Sequence, residues 1–414
     1  MTDREALYRA ILADPDDNTL RLIYADALEE ESDTRRAAFV RTQVELANLP
    51  EYDPGWIRTR YHNREKMFGT RWIAELPALP DGLQWAREPF RRGLPASIHS
   101  RDATAFVDHA DELFAQFPIE SVELSVARLP EAGRFACCEW VSRLVRLSIA
   151  QGLSGHSARR LLDSPDYERL RELHIGAGLS TEASAGSIVQ SQVFKQLTSL
   201  SYRGDRTGGC VVAVHLLRLA DPPRLKTLDL SGNRMTAVIL HPLLAAPALS
   251  ALETLDLSDN NLRAEAVVAV ASAKMPHLRT LRLVRTQPED EGIRALAAAA
   301  FLGEVRSLSL GGNNLPPEAA VVLAQSPGVA NLRVLEWRDN RAGDAGAAAV
   351  AGCPHLRNLV HLDLSSNLIE DYGADALVAS PHLTGLIYLD LHGNVISPPA
   401  AARLKRRFGD RVFL

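Results

Sequence analysis

Histidine and cysteine are the residues in this sequence best suited to metal binding, proton transfer or nucleophilic attack. Three histidines recur in a Pro-His-Leu string, namely His277, His355 and His382. The four cysteines are Cys137, Cys138, Cys210 and Cys353. A metal site needs ligands that converge on one point, whereas these histidines occupy equivalent places in a sequence repeat and the cysteines show no paired CxxC spacing. The sequence therefore predicts no metal site, and we interpret the cysteines as small buried hydrophobic residues.

The motifs that mark common active sites are missing from the sequence. It contains no GxxxxGK[ST] phosphate loop, no HExxH, no GxSxG and no GxGxxG after a predicted strand. We therefore predict no catalytic residues and no cofactor, and we expect a protein that is not an enzyme.

One string recurs at a fixed spacing along the second half of the chain. Residues 225–235 read LKTLDLSGNRM, which is Leu-x-x-Leu-x-Leu-x-x-Asn-x-Leu with Met in the last apolar place. Copies start at Leu225, Leu252, Leu278, Val305, Leu332, Leu359 and Leu386, which are 27, 26, 27, 27, 27 and 27 residues apart. Divergent copies start at Ile119, Leu144, Leu170 and Leu197, and have Ala127, Gly152, Gly178 and Asp205 in place of the Asn. Such a period is typical of a solenoid.

Each position of the string has a physical role. In Leu228-Asp229-Leu230 the apolar residues alternate, so a short strand turns both leucines inward and the aspartate outward. A buried Asn at the end of the strand can satisfy backbone groups of neighbouring turns. The sequence predicts a stacked ladder of such residues, broken at Thr286: Asn233, Asn260, Asn313, Asn340, Asn367 and Asn394.

Ala-rich segments with helical periodicity follow the strands, for example 264–273 and 291–302. One strand and one helix in 27 residues resembles the ribonuclease-inhibitor-like class of leucine-rich repeats. The resemblance implies an α/β solenoid, a horseshoe with parallel strands on the concave face and helices on the convex face. Strands stack about 4.8 Å apart and helices need roughly 8–10 Å, which would curve the array in this sense.

The first 50 residues predict a small all-α domain of three helices, ending near Ala13, Glu30 and Ala47. The strings ILADPDDNTLRLIYADALEE and FVRTQVELANL resemble the bacterial repeat-companion domain, which implies a bacterial protein and no known activity. That family has Trp where this chain has Ala27. We therefore expect three parts: a helical repeat-companion domain at 1–50, a connector and N-terminal cap at 51–100, and the repeat array with its C-terminal cap at 101–414.

Charged residues on the predicted N-terminal helices could form a functional cluster: Arg21, Asp26, Glu29, Glu30 and Arg41. We interpret them as solvated salt bridges on helix surfaces, each contributing a few tenths of a kcal/mol.

Composition and charge exclude several classes of protein. The chain has 414 residues, 46% of them hydrophobic, and a net charge of −5, which does not favour nucleic-acid binding. It has no apolar run near the roughly 18 residues that span a membrane, and no N-terminal signal region. We expect a cytoplasmic monomer with no nucleic-acid or membrane partner.

The strand positions that face outward are the candidate binding residues. On the concave face we expect an acidic column, interrupted by Arg282 and flanked at the C-terminal end by aromatic and basic residues. The candidates are Asp229, Asp256, Arg282, Glu336, Arg338, His361, Asp363, Tyr388, Asp390 and His392. The sequence leaves open whether these aspartates bind a partner or only solvate a common consensus strand.

Two functions fit this sequence. We favour a non-enzymatic scaffold that binds a protein partner through the concave face, since solenoids typically use that surface, and the acidic column favours a basic partner. The alternative is a regulator (activator) of a small GTPase, because the Ran GTPase-activating proteins resemble this repeat class.

Overall fold

The computed structural model describes residues 3–128, 131–151, 154–176, 182–203, 225–246 and 249–414. The chain divides into two compact units, Met1–Leu197 and Thr198–Leu414. Four positions considered in the sequence lie outside the described residues: Gly152, Gly178, Asp205 and Cys210. Among the described residues, no helix has the length and apolar character needed to cross a membrane.

Three helices open the first unit, at Asp3–Ala13, Asn18–Glu30 and Thr34–Leu46. Asp17 and Asp33 start the second and third, each accepting a hydrogen bond from a backbone N–H of the first turn. The helices enclose a small core that includes Ile11, Ala25, Leu28, Val40 and Val44. These bounds agree with the all-α domain predicted from the sequence.

Arg21 does not lie on a solvated helix surface, as the sequence analysis had predicted for the charged residues of these helices. Arg41 forms exposed ion pairs with Asp26 and Glu29, as expected. Arg21, in contrast, is fully buried and pairs with Glu120 at 3.4 Å. Its interpretation as a solvated residue was wrong, because its side chain points into the rest of the unit.

The connector consists of short helices followed by a hairpin. Three short helices occupy Pro54–His62, Arg64–Phe68 and Thr70–Ile73, and Asn63 ends the first and caps the second. An antiparallel hairpin, Phe90–Arg91 with Leu94–Pro95, follows. Its turn contains Gly93 at φ +83°, where a Cβ would lie 2.5 Å from the Val40 Cα. A side chain at that position would push the hairpin away from the third helix.

Parallel strands and returning helices build the rest of the first unit. Leu83–Trp85 forms the edge, antiparallel to the first repeat strand. The repeat strands are Ser97–Asp102, Ser121–Val126, Arg146–Gln151 and Glu172–Ile175, paired in that order. The helices are Ala103–Gln116, Glu131–Ala136, Gly155–Leu162 and Glu182–Val189, with 3-10 turns at Glu139–Arg143 and Val193–Gln196.

The second unit repeats one parallel strand and one helix. Its strands are Ser199–Tyr202, Thr227–Asp229, Thr254–Asp256, Thr280–Arg282, Ser307–Ser309, Val334–Glu336, His361–Asp363, Tyr388–Asp390 and Val412–Phe413. Its helices are Ala237–Leu244, Arg263–Ala271, Glu289–Ala297, Pro317–Gln325, Gly343–Gly352, Asp371–Ala379 and Pro398–Phe408. Short 3-10 turns occupy Ala300–Glu304, Pro327–Asn331, Pro354–Asn358, Leu383–Gly385 and Gly409–Arg411.

The leucines of each copy form the core between strand and helix. In the first regular copy Leu225, Leu228 and Leu230 are completely buried, as the alternation predicts. Equivalent residues pair across neighbouring strands, so that Leu255 lies between Leu228 and Leu281. The α/β solenoid fold predicted from the period is therefore confirmed.

Candidate functional site

In the second unit, every second residue of each strand has its side chain on the outer side of the sheet. We call the surface formed by these side chains the strand face. Its central column is made by residues that pair directly across adjacent parallel strands: Ser201, Asp229, Asp256, Arg282, Ser309, Glu336, Asp363, Asp390 and Phe413. All the acidic candidates thus lie in one column, in the predicted order.

The aspartates of this column also end their strands. Asp229, Asp256, Asp363 and Asp390 each accept, at 2.9 Å, the backbone N–H of the residue two positions later. Such local side-chain bonds turn the backbone out of a strand. One carboxylate oxygen therefore has a structural role. This role was not predicted from the sequence, although the repeated spacing Asp-x-Ser was its signal.

Burial changes the acidity of two of these carboxylates. Asp256 and Asp363 each have a pKa raised above the ordinary value, mainly because burial disfavours the charge. The neighbouring carboxylates Asp229 and Asp390 raise these pKa values further. The column is thus a place where added positive charge would be favourable.

The middle of the column is nearly neutral. Arg282 pairs in register with Asp256 on one side and Ser309 on the other, and its charge favours the ionised form of Asp256. The Ser309 hydroxyl donates to Glu336 at 2.6 Å. Arg338 lies over Gly311 of the preceding copy, where a Cβ would approach the Arg338 Cγ to 2.9 Å.

Aromatic rings cover the C-terminal end of the strand face. The rings of His361 and Tyr388 lie 4.7 Å apart, and those of Tyr388 and Phe413 lie 4.8 Å apart. The Tyr388 hydroxyl and the His392 ring both hydrogen-bond to Asp390, at 2.8 and 2.7 Å. Phe413 was not among the predicted residues, because its place in the column follows only from the pairing of the last strand with Tyr388–Asp390.

The predicted Asn residues lie behind this surface, at the turn after each strand. The Asn340 side-chain oxygen accepts N–H groups of Asn313 and Leu315, and its amide donates to carbonyls of Leu310 and Trp337, all at 2.9–3.1 Å. The same pattern recurs at Asn260, Asn313 and Asn394. Asn367 accepts from Ala342, and Asn233 donates to the Tyr202 carbonyl.

Thr286 takes the place of an Asn in this series. Its hydroxyl donates to the Leu283 carbonyl at 2.9 Å. Its short side chain has no carboxamide that could accept from the preceding turn. The Thr286 backbone carbonyl accepts the Arg263 N–H at 3.0 Å, as the Asn367 carbonyl accepts that of Gly343 at 2.9 Å.

The described residues give no sign of metal chemistry. No group of three or more His, Cys, Asp or Glu side chains is close enough to hold an ion in this part of the chain. The strand face instead combines hydrogen-bonded carboxylates with neighbouring aromatic rings, a surface suited to binding.

Comparison with known proteins points to the same repeats. The family profile described as "Leucine Rich repeat" matches residues 249–271 and 355–378. No curated protein has a sequence similar enough to match.

Two solved structures are similar in architecture. An internalin (InlF) from Listeria monocytogenes has 17% identity and a TM-score of 0.46, over 72% of this chain and 80% of that one. A chain of the Rad7–Elc1 complex from yeast has 14% identity and a TM-score of 0.51, over 97% and 96%. The latter supports the fold alone. The profile match identifies the repeats at residues 249–271 and 355–378 as leucine-rich, and they lie within the array of parallel strands that follows the 27-residue period.

Proposed function

We propose that this chain is a non-enzymatic scaffold that holds a basic protein partner against the C-terminal part of its strand face. The observation that carries the proposal is the adjacency of two acidic residues, Asp363 and Asp390, to the neighbouring rings of His361, Tyr388 and Phe413. Carboxylates and ring faces together attract a lysine or arginine side chain.

The electrostatics support a cationic partner. The pKa of Asp363 is raised by burial and by Asp390, so the ionised pair is under mild repulsion. A cation placed between them would relieve that repulsion and favour ionisation. Leucine-rich repeats are stacked in a solenoid, an architecture that offers long binding surfaces.

The proposal also includes the class of the repeats, the family of the N-terminal helices, the cellular location and the oligomeric state. We assign the repeats to the ribonuclease-inhibitor-like class and the first three helices to the repeat-companion domain of bacterial proteins. We also propose a cytoplasmic monomer, a location supported by Cys137, Cys138 and Cys353, which are free thiols among the described residues.

The test compares three baits in a lysate of the native host. They are the parent chain, the double variant Asp363→Asn with Asp390→Asn, and the control Glu370→Gln. Asparagine removes the charge and keeps one acceptor oxygen for the backbone N–H, while at Asp390 its NH2 group replaces the oxygen that accepts from the Tyr388 hydroxyl. Glu370 is exposed at the start of the following helix, where its side chain makes no capping hydrogen bond.

We expect the parent and the control to capture the same basic protein. The dissociation constant of that purified protein should rise roughly 10-fold or more in the double variant, about 1.4 kcal/mol. Binding to the parent should also weaken between about 50 and 300 mM salt. An acidic partner, or equal affinity for all three baits, would contradict the proposal.

A further inference from the structure

The first unit contains a cavity that plays no part in the function proposed for the strand face. It has a volume of about 470 Å³ and lies between the N-terminal helices, the connector and the hairpin. Leu46, Trp56 and Phe68 form an apolar wall, while Arg91 and Arg92 form a basic one. A cavity with one apolar and one charged side fits a ligand that has an apolar part and a charged part.

Arginines outnumber carboxylates around the basic wall. The connected arginines are Arg21, Arg91, Arg92, Arg146 and Arg169, and the connected carboxylates are Asp16, Glu120 and Glu172. Of this network, Arg91, Arg92, Asp16 and Glu120 line the cavity itself, and Glu88 lines it at the solvent-exposed side. The network therefore holds more positive than negative charge in a partly desolvated place.

The carboxylates of this network are already engaged. Glu120, whose side chain is 3% exposed, accepts from Arg92 and, at 3.4 Å, from Arg21. Glu172 accepts from Arg146 at 2.6 Å. Although burial opposes it, His174, Arg146 and Arg91 together lower the pKa of Glu172 to about 2, so this carboxylate is fully ionised.

Of the two arginines in the basic wall, Arg91 has the longer ion pairs. Its contacts with Glu120 and Glu172 are long, at 4.0 and 3.7 Å. Its Nη1 is buried with no hydrogen-bond acceptor among the described residues. Burial, then repulsion from Arg146, lowers the pKa of Arg91, a sign that the surroundings undercompensate its charge. A buried donor without a partner destabilises the folded state, so an anionic ligand that reached this guanidinium would be favoured.

The apolar wall presents aromatic rings on the other side. The Arg60 guanidinium lies 5.1 Å from the Trp56 ring centre and 5.7 Å from that of Phe68. Arg60 thus holds both rings in place and adds positive charge near the cavity. A flat apolar group could pack on these rings while an attached anion reaches Arg91.

We propose that this cavity binds a small organic anion, a carboxylate or phosphate joined to an apolar ring, with the anion on Arg91 and the ring against Trp56 and Phe68. The proposal concerns the first unit and does not depend on the protein partner of the strand face.

The test uses the full chain and three probes of similar size: phenylacetate, phenyl phosphate and the neutral 2-phenylacetamide. Isothermal titration calorimetry measures each affinity for the parent and three variants. Arg91→Gln removes the proposed anion contact, and Asn48→Asp adds a negative charge to the exposed part of the cavity wall. Arg87→Gln is the control, an exposed arginine on the same segment.

We expect at least one anion to bind the parent and Arg87→Gln equally, and roughly 10-fold more tightly than the amide. Arg91→Gln should weaken that anion roughly 10-fold, and Asn48→Asp should weaken it several-fold. The tighter of the two anions identifies the preferred class.

The proposal is overturned if neither anion binds the parent below about 10 mM, or if the amide binds as tightly. It is also overturned if Asn48→Asp binds as the parent does. Because Asn48 is on the surface, that variant decides the matter even if Arg91→Gln fails to fold.

Discussion

The Asp363 carboxylate accepts two hydrogen bonds from Ser365 through one oxygen, from the backbone N–H at 2.9 Å and from the hydroxyl at 2.6 Å. The same side chain therefore ends a strand and contributes a charge to the strand face. The two roles can be separated by Asp→Asn substitution, because a carboxamide oxygen still accepts both bonds.

Replacing Asp363 by Asn should leave the protein slightly more stable at neutral pH. The folded-state pKa of Asp363 is raised above its unfolded value, so the folded protein binds more protons between the two values and loses stability as pH rises through that window. Above the window we expect Asn to gain about 0.2–1 kcal/mol, the size of repulsion between like charges on adjacent strands. Urea denaturation at pH 7 and below pH 4 measures the difference, which should vanish in acid.

Asp371 provides a control of opposite sign. It accepts from the Ser397 backbone N–H and hydroxyl at 2.8 and 2.6 Å, which lowers its pKa. Its contribution is present above the unfolded pKa and is lost as pH falls through the folded one. Asp371→Asn should therefore reduce stability at pH 7. If both variants shift stability in the same direction, the pKa argument fails.

Replacing Asn340 by Leu should strongly destabilise the second unit. Leu would leave two backbone N–H groups and two carbonyls without their bonds to the carboxamide. Each buried unsatisfied group costs roughly 1–3 kcal/mol, so we expect a loss of about 3 kcal/mol or more in denaturant unfolding.

The neighbouring Asn314 supplies the comparison, provided that it is changed to Gly. Asn314 is exposed and has φ +56°, a conformation in which Leu would be strained. Asn314→Gly should change the free energy of unfolding by less than about 0.5 kcal/mol. Equal losses in the two variants would show that the carboxamide bonds of Asn340 contribute little.

The repeats could be predicted from sequence because their signals are local. Alternating leucines define the inward face of a strand, and the period of 27 brings equivalent residues such as Asp363 and Asp390 together. The burial of Arg21 could not be predicted in this way. Its partner Glu120 is 99 residues away, so the pairing depends on how the helices pack within the first unit.

Replacing Arg21 by Met should lower the stability of the first unit by about 3 kcal/mol. The change removes one of the guanidinium groups that neutralise the buried Glu120, and breaking a buried pair typically costs 3–5 kcal/mol. Arg92 still compensates part of that charge. Arg41→Met is the control, since its ion pairs are on the surface and contribute less than about 1 kcal/mol. Comparable losses for both variants would contradict the special role of Arg21.

Deletion of residues 1–48 tests whether the helical domain folds apart from the repeats. A separate helical domain, as the sequence predicts for residues 1–50, would leave a chain that begins near Asp53 folded. The contacts favour the opposite result, because Phe39 packs on Trp72 and Phe90, and Leu94 belongs to the helical core. We expect the shortened chain to melt at a lower temperature. An unchanged melting curve would establish an independent domain.

Partner binding at the strand face should weaken as pH falls. A cation favours the ionised form of Asp363, so affinity should decline as pH drops through its raised pKa. Asp363→Asn removes this carboxylate from the surface and is the comparison variant. Calorimetry of the captured partner between about pH 7.5 and 4.5 should give a steeper pH dependence for the parent than for Asp363→Asn. If the two curves are parallel, Asp363 does not contact the bound cation, and the acidic column serves only to end its strands.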